Sequence, residues 1–258
     1  MHCKSDPGGF PQRKASEVPA VSAAQMREVQ RAAQEDFGID ILQITENAGR
    51  STATLALAML GGRVRGQRIV VLAGGGNKGA GGLCAVRHLS NWGCIVEPVF
   101  GEVETEMSSA ARRQLQILRQ SGIVEPRDAE TSEITLEDHL DRADLVIDAL
   151  VGFGHEGPIT GIAGALIELA SQAHAHILAV DVPSGVNATT CEANAVSIKA
   201  CTTLMLDLPK KGLLDPRSRP FAGELYHADL GIPRKIPERF GIQMEGVYSE
   251  GPIVRIRR

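Results

Sequence analysis

No run of apolar residues in the sequence approaches transmembrane length. Met1 to Glu17 also lack the apolar core of a secretory signal, so no membrane partner is expected. Neither sign of charge is in surplus. With 27 basic and 31 acidic side chains the formal charge is −4, which gives no general attraction to nucleic acid or to an anionic membrane. The five cysteines, Cys3, Cys84, Cys94, Cys191 and Cys201, are odd in number and have no C-x-x-C spacing. That usage fits reduced thiols better than bridges or zinc ligands and points to a reducing, cytoplasmic setting. No Pro/Ser-rich linker, internal repeat or low-complexity segment divides the chain. It therefore reads as one α/β domain over residues 21–236, preceded by a disordered lead-in over 1–20 and followed by a tail over 237–258 that the patterning does not place.

What is present is organised around Arg68-Ile69-Val70-Val71-Leu72-Ala73-Gly74-Gly75-Gly76-Asn77-Lys78-Gly79-Ala80-Gly81-Gly82-Leu83. The short β-branched run reads as a buried parallel strand, the glycines as a tight turn, and the residues after them as the start of a helix. Glycine lets backbone N–H groups approach a ligand, and a helix N-terminus carries about half a positive charge, so an anionic or phosphate-bearing ligand is favoured here. Two better-known loops fit poorly. A Walker A loop fails because Lys78 is followed by Gly79 rather than Ser or Thr. A dinucleotide fingerprint fits Gly74 to Gly79, but the ribose-binding acid it needs would be Glu97, directly before Pro98, or Glu102, and neither clearly ends a strand. A nicotinamide-dependent oxidoreductase is disfavoured on that ground.

Along the chain, helices are expected from Ser22 to Asp36, with Ser22 as N-cap, and from Ile41 to Leu60, a segment whose apolar face suggests a homodimer contact. Strands are expected over Ile95 to Phe100, Gly122 to Glu125, Asp144 to Leu150, His176 to Val182, Cys201 to Leu208 and Gly223 to Asp229. Further helices are expected over Met107 to Gln120, Leu136 to Arg142 and Ile162 to Gln172. The alternation predicts a Rossmann-like three-layer α/β/α sandwich with a mostly parallel sheet. Ligands bind at the carboxyl ends of such strands, where the glycine loop, Asp148 and Asp181 all fall. Of the remaining polar residues, Glu46 and Asn47 read as buried hydrogen-bonding groups, and His155 as a member of a binding loop.

These pieces, in this order and spacing, resemble the YjeF N-terminal domain family, whose best-known members are NAD(P)H-hydrate epimerases. The resemblance runs from Val21 to Pro233. It rests on Glu46-Asn47-Ala48-Gly49, Gly76-Asn77 through Gly82-Leu83, Asp148-Ala149-Leu150 with Gly152-Phe153-Gly154, Asp181 with Pro183-Ser184-Gly185, and Pro209-Lys210. It implies a metabolite-repair isomerase that interconverts the R and S forms of hydrated NADH and NADPH (NADHX and NADPHX), with a separate dehydratase as functional partner. By similarity Asn77, Lys78, Gly79, Ala80 and Gly81, then Gly152, Phe153, Gly154, His155, Glu156, Gly157 and Pro158, and Asp181, would contact the nicotinamide dinucleotide. Asp148 and Ser184 would hold a potassium ion. Asp148, at a strand end beside a glycine loop, is also the expected catalytic carboxylate.

The family loop usually reads G-N-N-G-G-D-G, and here it is Gly76-Asn77-Lys78-Gly79-Ala80-Gly81-Gly82. Lys78 stands where the second Asn would ligate potassium. An ammonium cannot be a ligand but can put its own charge where the ion sits, so replacement of the ion by Lys78 is one expectation. Lys78 pointing into solvent is the other. Gly81 stands where the family has an Asp. The alternative to an epimerase is a module of the same fold that has lost catalysis and binds a nucleotide-like ligand or a protein partner.

Overall fold

The computed structural model describes residues 7–124, 135–155 and 157–258; Cys3, Glu125 and Glu156 lie outside them. Eight strands form one sheet: β1 (Gln12–Lys14), β2 (Arg68–Ala73), β3 (Ile95–Phe100), β4 (Leu145–Ala149), β5 (His176–Val180), β6 (Thr202–Leu206), β7 (Glu224–Ala228) and β8 (Ile253–Arg257). Their order is β1-β8-β7-β6-β5-β4-β2-β3, parallel throughout except between β7 and β8. The principal helices are α1 (Ala23–Arg31), α2 (Ile41–Met59), α3 (Asn77–Trp92), α4 (Ser109–Gln120), α5 (Leu136–Asp141) and α6 (Gly161–Gln172).

Strand periodicity divides the core into two layers. Ile69, Val71, Ala73, Leu145, Ile147 and Ala149 face α2, α3 and α4, while Val70, Leu72, Val146, Ile177 and Ala179 face α5 and α6. Both faces of the central strands are covered, which is why their sequences run apolar without alternation. The chain leaves β2 toward one edge to make β3, then returns to place β4 on the other side of β2. The carboxyl ends of β2 and β4 therefore flank a topological switch point, the place where open α/β sheets leave a crevice for ligands.

Several expectations change in three dimensions. Gly122 to Val124 form no strand: Gly122, at φ +68°, ends α4, and the N–H groups of Ile123 and Val124 donate to Leu118 O at 3.0 and 3.3 Å. Their apolar side chains cover the helix end instead of pairing. The lead-in and tail contribute strands as well, since β1 and β8 pair in register, Gln12 with Arg255 and Lys14 with Arg257. Their short length and mixed polarity hid them. In α2, Ala48, Ala53, Leu55 and Ala56 pack into the core of the chain. Among the described residues no helix is long and apolar enough to cross a membrane.

Candidate active site

The site starts from the end of β2. Gly74 N donates to Ala149 O at 2.9 Å, and a Cβ at Gly74 would lie 1.9 Å from Leu150 O, so the loop after β2 and the loop after β4 touch backbone to backbone. Gly76 caps α3 with no side-chain hydrogen bond, which leaves the first-turn N–H groups facing the crevice. Gly76, Asn77 and Lys78 line a cavity of about 370 Å³ together with Gly152, Phe153, Gly154, His155 and Asp181.

The remaining expected contacts lie elsewhere. Gly79, Ala80 and Gly81 do not line the cavity, because α3 has begun and this turn packs inward. A Cβ at Gly79 would stand 1.8 Å from Gly74 O, Ala80 is fully buried, and Gly81 faces Ala48 of α2. Gly157 lines a smaller neighbouring cavity with Asn187 and Asn194, and Pro158 is exposed outside both cavities.

Asp148 and Ser184 are fully buried beneath the cavity and do not line it. Asp148 Oδ1 accepts from Leu150 N at 3.1 Å and Ser184 Oγ at 2.6 Å, and its Oδ2 accepts from Ser184 N at 2.8 Å and Lys78 Nζ at 3.2 Å. Both oxygens of the carboxylate expected to be catalytic are thus engaged, and it pairs with Lys78 outside the cavity lining. The Lys78 side chain is 5% exposed, and its ammonium also donates to Val182 O at 2.7 Å, Val151 O at 3.0 Å and Ser184 Oγ at 3.0 Å. The ammonium thus stands on the two side chains that would hold potassium, and a free ion among those oxygens would share its space. The residues present do not fit a separate ion, and Lys78 does not point into solvent.

The carboxylates that do reach the cavity sit just past β5 and β6. Asp181, at φ +65°, and Asp207, at φ +67°, both adopt the left-handed conformation, and each donates its N–H to the strand alongside, to Leu204 O at 2.7 Å and to Ala228 O at 3.1 Å. Such backbone is uncommon for non-glycine residues and gathers at functional sites. Asp181 Oδ1 pairs with the buried ammonium of Lys210, which also donates to Leu206 O and lies 5.5 Å from the centre of the Phe153 ring.

Asp207 is buried, and its Oδ2 has no hydrogen-bond partner. Burial pushes its carboxyl up to about 7; Lys210 opposes the shift, while Asp181 and Asp229 reinforce it. Behind it His227, held neutral and down to about 3 by burial, lies 3.0 Å from Asp207 O, and Tyr248 Oη donates to the same carbonyl at 3.3 Å. Asp207 and Lys210 are the site residues that sequence reasoning left out or gave little weight. Reading the strand to Leu208 placed Asp207 inside it, although an Asp closing an apolar run just before Pro209 repeats the signal of Asp181 before Pro183.

Glu46, Cys84 and His88 bring donor atoms within 4.8 Å of one another, as a metal site would. Here they staple α2 to α3: Glu46 accepts from His88 Nε2 at 2.9 Å, from Cys84 Sγ at 3.3 Å and from Arg87. The guanidinium supplies the positive charge, and burial pushes the Cys84 thiol up to about 12, so it stays protonated as a donor to Glu46. Asn47 reaches Leu230 O at 2.8 Å. Asn47 thus bonds backbone as expected, whereas Glu46 is partly exposed and bonds side chains of α3 instead.

The family model of the YjeF-related protein N-terminus matches residues 42–212. The chain is 38% identical over 242 residues to a Dehalogenimonas lykanthroporepellens protein named NAD(P)H-hydrate epimerase, covering 93% of each. It is 28% identical to one of the same name from Rhodopirellula baltica, over 88% of this chain and 90% of the relative. A Moorella thermoacetica protein named bifunctional NAD(P)H-hydrate repair enzyme Nnr is 33% identical over 84% of this chain, which spans only 41% of that relative. The crystal structure of the yeast protein YNL200c shares the fold, with a TM-score of 0.78 and 23% identity over 92% of this chain and 100% of its own.

Proposed function

The chain belongs to the YjeF-related N-terminal family, and from that membership we propose that it is an NAD(P)H-hydrate epimerase, an isomerase acting on the R and S forms of hydrated NADH or NADPH. The observation that carries this reading is a cavity at the switch point that has an uncapped helix N-terminus at one end and two carboxylates in left-handed backbone at the other. About 370 Å³ lies at the low end for ligand pockets, suited to the nicotinamide half of a dinucleotide. The α3 N-terminus favours the phosphates.

Epimerisation at C6 requires the hydroxyl to leave and water to return on the other face. As the hydroxyl departs, the ring nitrogen shares its electron pair and the ring becomes cationic. Asp207, half protonated near neutral pH, gives its proton to the leaving hydroxyl, which departs as water, and takes one back from the water that adds. Asp181, fixed by Lys210, places negative charge beside the cationic ring. Phe153 and the apolar lining limit the entry of bulk water.

Relatives that carry a second half beyond the matched segment are named bifunctional repair enzymes. That supports a dehydratase as this protein's functional partner. The test supplies R-NADHX with an S-specific dehydratase and adds this protein. Consumption of the R form above its spontaneous rate is expected. A rate held at the spontaneous value by folded protein would leave a binding-only module.

A further inference from the structure

The oxygens around Lys78 form a cage of fixed composition. Two backbone carbonyls (Val151 and Val182), one hydroxyl (Ser184) and one carboxylate (Asp148) converge on Nζ at 2.7 to 3.2 Å. They come from the loop after β4, the loop after β5 and β4 itself, while the lysine comes from the first turn of α3. All-oxygen coordination with a single negative charge is the donor set of a hard monovalent cation.

The proton count favours a charged Lys78, whose three N–H groups serve the four acceptors with one hydrogen shared between two of them. Ser184 gives its one hydroxyl proton to Asp148 Oδ1 at 2.6 Å and accepts from Val151 N at 2.9 Å, so toward Nζ it is an acceptor, like the two carbonyls and the carboxylate. A neutral amine has two N–H groups for four acceptors and would leave Asp148 buried without a countercharge. Burial lowers the lysine's proton affinity, and Asp148 opposes it.

We propose that Lys78 is a tethered monovalent cation: its ammonium permanently fills the oxygen cage built by Asp148, Ser184, Val151 and Val182, so the protein neither binds nor needs a free potassium ion. The stem runs past Gly152, where an added Cβ would meet Lys78 Cβ at 3.5 Å, so the lysine also ties the glycine loop after β4 to the start of α3. Asp181 and Phe153 lie on the cavity side, and the walls of the cavity stay assembled whatever the salt. The inference deepens the epimerase reading, yet its binding and stability tests do not depend on that reading.

The test compares the wild-type chain with Lys78→Asn in choline chloride and in potassium chloride at equal ionic strength, by thermal unfolding, and dialyses both against rubidium. The wild type is expected to melt at the same temperature in both salts and to retain no rubidium. K78N, which removes the countercharge of a buried carboxylate, is expected to melt on the order of 10 °C lower in choline. Potassium should recover most of that loss saturably, with one rubidium bound per chain. Should K78N not fold in choline, its refolding in potassium carries the same reading. A saturable potassium shift of the wild type, or one rubidium bound by it, would overturn the proposal. So would a K78N protein indifferent to potassium. Absence of epimerase activity in every buffer would remove the function and leave these outcomes as they are.

Discussion

Asp207 sets the chemistry at the scale of single residues. Its unpartnered oxygen and raised proton affinity have one cause, burial in a wall where Lys210 is already committed to Asp181. The folded chain holds a proton up to about pH 7 that the unfolded chain releases near its ordinary value of 3.8. Between those values the native state binds more protons, so this group's contribution to stability falls as pH rises from about 4 to about 7 and stays low above. Asp207→Asn should therefore be more stable than wild type at pH 8, by up to a few kcal/mol, and should lose that advantage near pH 3. A pair of denaturant titrations checks this. In the R-NADHX assay the same substitution should lower the rate 10² to 10⁴-fold and abolish the decline in wild-type activity above about pH 7. An unchanged pH profile would remove Asp207 from the proton transfer.

The first turn of α3 shows how one element can carry glycines for opposite reasons. Gly79 is required by contact: a Cβ there would overlap the carbonyl of Gly74, and neither backbone can yield without moving the helix off the sheet. Gly81 has only Ala48 Cβ at 3.5 Å, an ordinary contact. Gly79→Ala should destabilise by about 3 kcal/mol or more, and Gly81→Ala should be neutral or gain roughly 0.5 to 1 kcal/mol from helix propensity. Thermal melts of the two variants separate them. In the sequence these glycines look alike, because a turn-forming glycine and a close-packing one leave the same letter.

For the molecule as a whole, the two ends of the chain close the sheet. β8 buries Ile253, Val254 and Ile256 and pairs with both β7 and β1. Removing residues 252–258 forfeits roughly 5 to 9 kcal/mol of apolar burial, as much as many domains have in total, and exposes the β7 edge. The truncated chain is expected to show no cooperative melting transition by circular dichroism. Retention of a sharp transition would show that β1 and β8 are dispensable.

The sequence by itself determined the succession of strands and helices from α1 to β7, apart from a strand at Gly122 that does not form, together with the parallel sheet and the loops that meet at its carboxyl edge. Each of these is written in local periodicity, glycine placement and the apolar runs of doubly covered strands. It also left Lys78 with two destinations, in solvent or in an ion's place. Only the tertiary structure decided between them, because the four oxygens that hold the ammonium come from segments up to 106 residues away. The same holds for Asp148, a strand-end carboxylate that the fold buries against Lys78. Asp207, read as strand interior, becomes a cavity wall only when the backbone turns left-handed at its Cα.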